Sequence, residues 1–296
     1  MTAADGTAGN SAIRRSLKDL LRQGRLIAAP GVYDPVSAKL ADAQGFDALY
    51  MSGFATVAAH LGLPDAGLAT YTDMLGRLSV IAGAVKAPLI ADGDTGFGGL
   101  LNVERTVQGY EAAGAAAIQL EDQEFPKKCG HTPGRRVIPL DDAARKIEVA
   151  AASRRSKDFL IVARTDARTA HGLDEAMRRA EAFAKAGADV LFIEALESEA
   201  EMEKVGKAFD LPLLINIVEG GKTPVLPAER LHALGFRLAI FPVTGLLAAA
   251  QALQATYAAI KATGSSAGLR QPLYPFADLT KLMDFQRVWD FEKRWA

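Results

Sequence analysis

Cys129, the only cysteine of this 296-residue chain, lies among residues that suit acid–base chemistry. It is the centre of the segment Lys127-Lys128-Cys129-Gly130-His131. Cationic neighbours make a thiol easier to ionise, which favours a reactive cysteine. A lone cysteine is more often an inert buried apolar residue, so that alternative stays open at this point. The surrounding stretch 124–136 is polar and contains glycine and proline, which predicts a mobile flap over a reaction site.

Two aspartates separated by one residue predict a metal site. Asp92 and Asp94 follow a buried apolar run, and residues i and i+2 of an extended chain point to the same side. Glu121 follows the next apolar run, and Asp65 is a candidate outer partner. Carboxylate oxygens are hard ligands that favour Mg²⁺, with Mn²⁺ as the alternative. A solvated Asp-Gly-Asp turn is the competing interpretation, but the position after a buried strand favours the metal.

Arg164 ends another buried run, where a guanidinium needs an anionic partner. A substrate carboxylate held by two hydrogen bonds is one candidate partner. An internal ion pair with Glu121 or Glu194 is the other. Both arrangements can alternate during a reaction cycle.

Eight short apolar runs alternate with helical stretches and predict the elements that position these residues. The runs lack polar–apolar alternation, as expected of parallel strands buried on both faces. Glycines precede several of them, where a left-handed residue ends a helix and turns the chain back into the sheet. The predicted strands are Leu26–Ala29, Ala48–Met51, Leu89–Ala91, Ala117–Leu120, Leu160–Ala163, Val190–Ile193, Leu213–Ile215 and Leu238–Phe241.

This alternation predicts an α/β fold, specifically a closed (β/α)₈ TIM barrel. An open doubly wound sheet normally carries a glycine-rich dinucleotide fingerprint after its first strand, and the turn Pro30–Pro35 is not one. Active sites of such barrels lie at the C-terminal ends of the strands. Polar residues follow the second to the seventh predicted strands, so we expect their side chains to converge on one mouth.

The composition is that of a globular enzyme and argues against other classes. The chain is 49% hydrophobic and 23% charged with a formal net charge of −1, so nothing indicates a nucleic acid or an anionic membrane as partner. A single cysteine excludes a disulfide within the chain and suits a reducing cytoplasm. We see neither a signal-peptide pattern nor an apolar stretch of about 18 residues.

The chain is expected to contain three regions. Residues 1–10 are small and polar and predict a disordered leader. Residues 11–265 are expected to form the barrel, and residues 266–296 a C-terminal helical extension. The segment Phe276–Trp295 is amphipathic and aromatic, which predicts a helix that needs a partner surface. From the residues alone, packing on its own barrel and contact within an oligomer are equally open.

Seven segments together resemble the isocitrate lyase/phosphoenolpyruvate mutase superfamily, from about Ser16 to Trp295. The Lys-Lys-Cys-Gly-His segment is typical of the lyase branch, whereas the mutase branch has asparagine at the position of Cys129. A phosphonate-forming mutase therefore fits less well. The matching segments are Tyr50–Gly53, Gly62–Asp65, Ala91–Gly96, Glu121–Gln123, Lys127–His131, Ala163–Ala167 and Asn216–Pro224.

The resemblance implies a role for each matching residue. Asp92 and Asp94 would lie at Mg²⁺, which Asp65 and Glu121 would reach through water. Cys129 would be the general acid, and Tyr50 or a water relay at the metal is the candidate base. The implied catalytic residues are Cys129, Tyr50, Lys127, Arg164 and Glu194. The implied substrate-binding residues are Ser52, Gly53, Phe54, Gly130, His131, Arg164, Asn216, Ile217 and Val218. A homotetramer with swapped C-terminal helices is also implied.

The implied reaction is the retro-aldol cleavage of a carbon–carbon bond in a 2-hydroxy di- or tricarboxylate. The segment Val218–Gly221 is more similar to 2,3-dimethylmalate lyase and the plant alkylmalate lyases than to 2-methylisocitrate lyase. The products would be a 2-oxo acid, such as pyruvate or glyoxylate, and a carboxylate whose enolate Cys129 protonates. An oxaloacetate hydrolase or decarboxylase using the same site is the alternative. A non-catalytic metabolite-binding barrel fits less well, and a Schiff-base aldolase would need a lysine at a strand end.

Overall fold

Eight parallel strands close into a barrel, which confirms the predicted (β/α)₈ fold. This computed structural model describes residues 16–130, 132 and 134–296, so the predicted leader at residues 1–10 lies outside the described residues. The strands pair in chain order and the last pairs with the first. They are β1 (Ile27–Val32), β2 (Leu49–Met51), β3 (Leu89–Asp92), β4 (Ala117–Glu121), β5 (Leu160–Thr165), β6 (Val190–Ile193), β7 (Leu213–Asn216) and β8 (Leu238–Phe241).

The strands bury both faces, as their continuous apolar runs predict. In β5, Leu160 and Val162 belong to the cluster inside the barrel, whereas Ile161 and Ala163 belong to the core shared with the helices. This division follows from the two-residue period of a strand. Burying each leucine, isoleucine or valine side chain stabilises the fold by roughly 1.5–3 kcal/mol.

Several strands run further toward the mouth than their apolar runs predict. Asp92, Glu121 and Asn216 are the last residues of β3, β4 and β7, and β5 continues through Arg164 to Thr165. Their backbones remain in the ladder, where Glu121 is paired with Arg164. A strand predicted from hydropathy ends before the first polar side chain, but the hydrogen-bonded strand continues through that residue. The strands themselves therefore fix the site residues.

Helices cover the outside of the barrel between the strands. Capping side chains set several helix starts: the Asp34 carboxylate accepts a hydrogen bond from the Ser37 backbone amide at 2.7 Å, for example. Three glycines that were predicted to end helices do have positive φ just before β4, β6 and β8; they are Gly114, Gly187 and Gly235. The helices are α1 (Leu17–Arg22), α2 (Pro35–Ala43), α3 (Gly53–Leu61), α4 (Tyr71–Ala84), α5 (Leu100–Ala112), α6 (Leu140–Ser153), α7 (Ala167–His171), α8 (Leu173–Lys185), α9 (Glu199–Gly206), α10 (Ala228–Ala233), α11 (Thr244–Thr263), α12 (Phe276–Leu282) and α13 (Phe285–Trp295).

The chain divides into two compact units, of which the second runs from Gly245 to Ala296. The sequence places this boundary later, after residue 265, because α11 has the apolar composition of a barrel helix. The single helix expected over Phe276–Trp295 is wrong: Asp284 adopts a left-handed conformation with φ 61° and separates α12 from α13. Aspartate tolerates this conformation better than most residues. None of the helices in the described part of the chain is long and apolar enough to cross a membrane.

Candidate active site

The C-terminal strand ends gather a set of buried polar side chains, as predicted. Asp92, Glu121, Arg164 and Asn216 are each less than 8% exposed, and Glu194, immediately after β6, is fully buried. Burying so many polar groups is costly unless they pair with one another or with a ligand. Their partners therefore define the site.

Lys127 extends from the flap into the predicted carboxylate cluster. Its Nζ lies 2.6 Å from Asp94 Oδ1 and also contacts the Asp65 carboxylate. Burial raises the pKa of Asp94 to about 6, with Asp92 adding to the rise and Lys127 opposing it. Burial alone lowers the pKa of Lys127, but Asp94, Glu121 and Asp65 together hold it well above its usual value. The ammonium group therefore stays charged and holds the flap to the barrel.

Asp92 is connected to Tyr50 through Gln119, a residue that the sequence analysis did not single out. Gln119 Nε2 donates to Asp92 Oδ1 at 3.3 Å, and Tyr50 Oη donates to Gln119 Oε1 at 3.0 Å. Burial, followed by the Asp92 charge, raises the pKa of the Tyr50 phenol well above its usual value. Tyr50 thus lies within the predicted site, where its hydroxyl orients Gln119. A glutamine inside the apolar run Ala117–Leu120 was the available signal.

Arg164 is the centre of an ion-pair network. It contacts Glu121 at 3.4 Å and Glu194 at 3.2 Å, and it donates two hydrogen bonds of 2.9 Å to Asp166. Asn216 Nδ2 donates to Glu194 Oε2 at 3.1 Å. Burial alone lowers the pKa of Arg164, but Asp166, Glu121 and Glu194 outweigh this effect and hold the pKa well above its usual value. The internal pairing that the sequence left open is thus present, with Asp166 as an additional partner.

The flap positions Cys129 and Gly130 at the mouth. The Cys129 backbone amide donates to the Asp65 carbonyl at 3.2 Å, and its side chain is partly exposed. A Cβ added to Gly130 would lie 2.4 Å from Arg164 Nη2 and 2.8 Å from Glu194 Oε2. Only glycine allows this approach, so the structure has the flap closed against Arg164. The predicted substrate-binding residue His131 lies outside the described residues.

The other predicted substrate-binding residues occupy different environments. Ser52 accepts a hydrogen bond from the Ala55 amide at 3.2 Å and caps α3. Gly53 lies against Asp92, where an added Cβ would be 2.4 Å from Oδ2. Ile217 is fully buried in the core shared with the helices. Phe54 and Val218 are more accessible: Phe54 exposes 37% of its surface, and Val218 is half-buried.

A second group of buried charged residues, Asp122 and Arg179, holds Asp166, the partner of Arg164. The sequence analysis assigned neither residue a role. Asp122 accepts hydrogen bonds from Thr165 Oγ1 at 2.7 Å, from the Asp166 amide at 2.9 Å and from Arg179 at 3.0 Å. Burial, followed by repulsion from Asp166, raises the pKa of Asp122 to about 6. Single charged residues on helices give no sequence signal that they turn inward, so Arg179 could not be singled out.

The oxygen donors at the mouth fit a Mg²⁺ ion. Among the described residues, no group of three or more His, Cys, Asp or Glu side chains is arranged to hold a metal ion. Mg²⁺ does not need such a group, because it is usually held by one or two carboxylates and keeps several waters. Glu121 Oε1 is buried and receives no hydrogen bond from the residues that the structure describes. Lys127 pairs with Asp65 and Asp94, whereas Asp92 and Glu121 each retain a carboxylate oxygen that a cation could bind.

A parallel barrel with carboxylates, an arginine and a flap cysteine at its mouth is the architecture of an enzyme acting on small acids. The family model for phosphoenolpyruvate phosphomutase matches residues 17–261. The chain is 42% identical to a 2,3-dimethylmalate lyase of Eubacterium barkeri, covering 95% of this chain and 97% of the relative. It is also 42% identical to a 2-methylisocitrate lyase of Aeropyrum pernix, covering 94% of this chain and 88% of the relative.

Two solved structures extend the comparison. An oxaloacetate acetylhydrolase bound to 3,3-difluorooxalacetate superimposes with a TM-score of 0.89 at 36% identity, covering 95% of this chain and 96% of the other. A phosphonopyruvate hydrolase in complex with oxalate and Mg²⁺ superimposes with a TM-score of 0.86 at 32% identity, covering 95% and 98%. The chain belongs to the phosphoenolpyruvate mutase/isocitrate lyase superfamily. Within it, the chain is a carbon–carbon bond lyase.

Proposed function

We propose that this enzyme cleaves the C2–C3 bond of a 2-alkylmalate such as 2,3-dimethylmalate, with Mg²⁺ as cofactor. The observation that carries the proposal is the placement of the Cys129 segment against the mouth, with Gly130 closed on Arg164 and Glu194. A general acid must come within hydrogen-bond reach of its substrate, and a closed flap provides that approach.

The residues at the mouth have separate roles in binding the substrate and the metal. Ser52 and Gly53, at the start of α3, bind the C1 carboxylate, and Arg164 binds substrate oxygens. Asp92 would hold Mg²⁺ as predicted, and Glu121 would take the place predicted for Asp94, because Asp94 pairs with Lys127. Asp94 and Asp65 would then reach the ion through water. When bound, the ion stabilises negative charge that develops on substrate oxygens.

Bond cleavage requires one proton to leave and another to arrive. The C2 hydroxyl passes its proton to a water molecule at the mouth and becomes the carbonyl of a 2-oxo acid. The C2–C3 electron pair passes into the second fragment, which leaves as the enolate of a carboxylate. The Cys129 thiol then donates its proton to C3 of this fragment, forming the new C–H bond and a thiolate. Water is excluded while the flap is closed.

The segment Val218–Gly221 and the similarity to 2,3-dimethylmalate lyase support an alkylmalate as the substrate. 2-Methylisocitrate is the next candidate, because the relative from Aeropyrum pernix carries that name. Hydrolysis of oxaloacetate is the second candidate function, supported by the structural similarity to oxaloacetate acetylhydrolase. Both functions use the same carboxylates and the same arginine.

The second unit supports a proposed homotetramer with swapped C-terminal helices. Large apolar side chains of this unit are exposed to an extent that is unusual for a monomer. They include Leu253, Tyr257, Leu273, Phe276, Trp289, Phe291 and Trp295. A cytoplasmic location is also part of the proposal, since a reducing compartment keeps the Cys129 thiol free to donate its proton.

A substrate panel tests the proposal directly. The protein with Mg²⁺ is incubated with alkylmalates, 2-methylisocitrate, isocitrate and oxaloacetate, and the formation of 2-oxo acid or oxalate is measured. We expect a 2-oxo acid from an alkylmalate, loss of activity with EDTA, and recovery when Mg²⁺ is restored. Oxalate from oxaloacetate alone would favour the hydrolase, and no cleavage of any substrate by folded, Mg²⁺-loaded protein would overturn the proposal.

A further inference from the structure

The flap is a loop on an antiparallel stem. At the stem, Gln123 forms a bridge with Val137, and the Glu124 amide donates to the Arg136 carbonyl at 2.8 Å. The Gln123 side chain extends the stem, since it bonds both backbone groups of Lys128, at 3.0 and 2.8 Å. The flap therefore has a first leg, residues 124–130, and a second leg, residues 134–137.

The first leg is held by the site itself. Lys127 pairs with Asp94 and Asp65, and Gly130 lies against Arg164. These contacts involve only Lys127 and Gly130, so they do not hold the second leg.

Arg135 holds the second leg to the end of β5. Its Nη1 donates to Asp166 Oδ1 at 2.7 Å and its Nη2 to Thr169 Oγ1 at 2.6 Å. Its side chain is only 2% exposed, whereas the side chain of the adjacent Arg136 is 76% exposed and pairs with Glu124 at the surface. Two neighbouring arginines of the same leg thus occupy opposite environments.

The first leg lies directly against Arg164 Nη2, and the second leg is connected to that nitrogen through Asp166. Arg164 Nη2 donates to Asp166 Oδ1, the oxygen that Arg135 also binds. The same nitrogen faces Gly130 and pairs with Glu194 at 3.2 Å. Opening the second leg would leave Asp166 with one of its two cations and Arg135 without its counter-ion. Buried charges that lose a partner are strongly destabilised.

We propose that Arg135 is a positioning residue that couples flap closure to the orientation of Arg164 through their shared carboxylate, Asp166. It touches no reacting atom. It keeps Cys129 over the mouth and keeps Arg164 turned toward the substrate in the same closed state. The proposal rests on the proposed function only in assigning Cys129 the role of proton donor.

Alkylation of Cys129 measures flap opening without any substrate, because this is the only cysteine in the chain. Iodoacetamide is added to the Mg²⁺-loaded wild type and to the variants Arg135→Met and Arg135→Lys, and mass spectrometry follows the modification. The closed flap leaves the Cys129 thiol only partly exposed, so releasing the second leg should raise the labelling rate above that of the closed state. We expect an increase of about threefold or more for Arg135→Met. Arg135→Lys keeps the charge but not the two-pronged geometry, and we expect an intermediate increase.

The neighbouring residue provides the matched control. Arg136→Met removes the same charge from the same leg, and we expect its alkylation rate and turnover to stay within about twofold of wild type, as for an exposed ion pair. Thr169→Val removes one of the two Arg135 contacts and should give a small increase. With the best substrate of the panel, Arg135→Met should lower kcat, because Cys129 is no longer held over the mouth, and should also raise KM, because Arg164 is no longer held toward the substrate.

The outcomes separate this inference from the proposed function. Wild-type alkylation rates in a folded Arg135→Met protein with an unchanged melting temperature would overturn the positioning role. The same holds if Arg136→Met accelerates alkylation equally. If Arg135→Met does not fold, Arg135→Lys and Thr169→Val decide by the same criterion. Full turnover by completely alkylated enzyme would instead overturn the role of Cys129 as the acid.

Discussion

Cys129 is the residue on which the proposed chemistry depends most directly. Replacing its thiol by a hydroxyl, Cys129→Ser, leaves the shape of the flap but provides a much weaker acid. We expect turnover to fall by a factor on the order of 10²–10⁴, the usual contribution of a positioned general acid. Steady-state kinetics measure the loss, while titration with Mn²⁺ and thermal melting should match wild type. Near-normal turnover would refute the acid role.

Asp166 supports the site from beneath and should stabilise the fold. Burial alone raises its pKa, but Arg164 and Arg135 outweigh that effect and hold the pKa below its usual value. Asp166→Asn leaves Arg135 without its counter-ion and Arg164 with only Glu121 and Glu194, and we expect it to lower the free energy of unfolding by roughly 3–5 kcal/mol. Urea unfolding at pH 7 measures the difference. Asp174→Asn, which removes only an exposed pair with Lys204, is the control and should change little.

The pH dependence of this difference follows from the direction of the Asp166 shift. A carboxyl group whose pKa is lowered on folding stabilises the protein above its unfolded pKa of about 4. That stability is lost as the pH falls through the lower, folded value. The gap between wild type and Asp166→Asn should therefore shrink below about pH 4. Between pH 7 and 5 the gap also contains the titration of Asp122, whose pKa Asp166 helps to raise to about 6. A gap that grows below about pH 4 would contradict the ion-pair assignment.

At the scale of elements, the flap depends on a close approach that only glycine allows. In Gly130→Ala the new methyl group would clash with Arg164 Nη2, so the flap cannot close fully. We expect slower turnover and faster alkylation of Cys129, with little change in thermal stability. Gly76→Ala on α4, where an added Cβ meets open space, is the control and should stabilise the helix by about 0.5–1 kcal/mol. Unchanged alkylation in Gly130→Ala would mean that the flap does not close as seen here.

The sequence predicts all eight strands because parallel barrel strands are apolar on both faces. It ends them too early at Asp92, Glu121 and Asn216, since a side chain in the mouth is polar although its backbone is still paired. The sequence also locates the carboxylates and the flap, which follow strand ends directly. It misses Arg135 and Gln119, because their roles depend on contacts with distant strands that no local pattern encodes.

At the scale of the whole molecule, the exposed aromatic side chains of α12 and α13 predict assembly. The double variant Trp289→Glu, Phe291→Glu places charges on this apolar surface. We expect it to shift a tetramer toward smaller species in analytical ultracentrifugation, because buried unpaired charges oppose association. Lys293→Glu, a charge change on the same helix, is the control. A wild type that sediments as a monomer would refute the assembly.

The closed mouth also has an electrostatic consequence. Its carboxylates, Asp65, Asp92, Asp94, Glu121, Glu194 and Asp166, outnumber its cations, Lys127, Arg164 and Arg135. Like charges at short range in a poorly screened environment repel strongly. A dianionic acid approaching this mouth therefore meets an opposing field until a divalent cation has entered. We therefore expect a divalent cation to enter the barrel mouth before the acid.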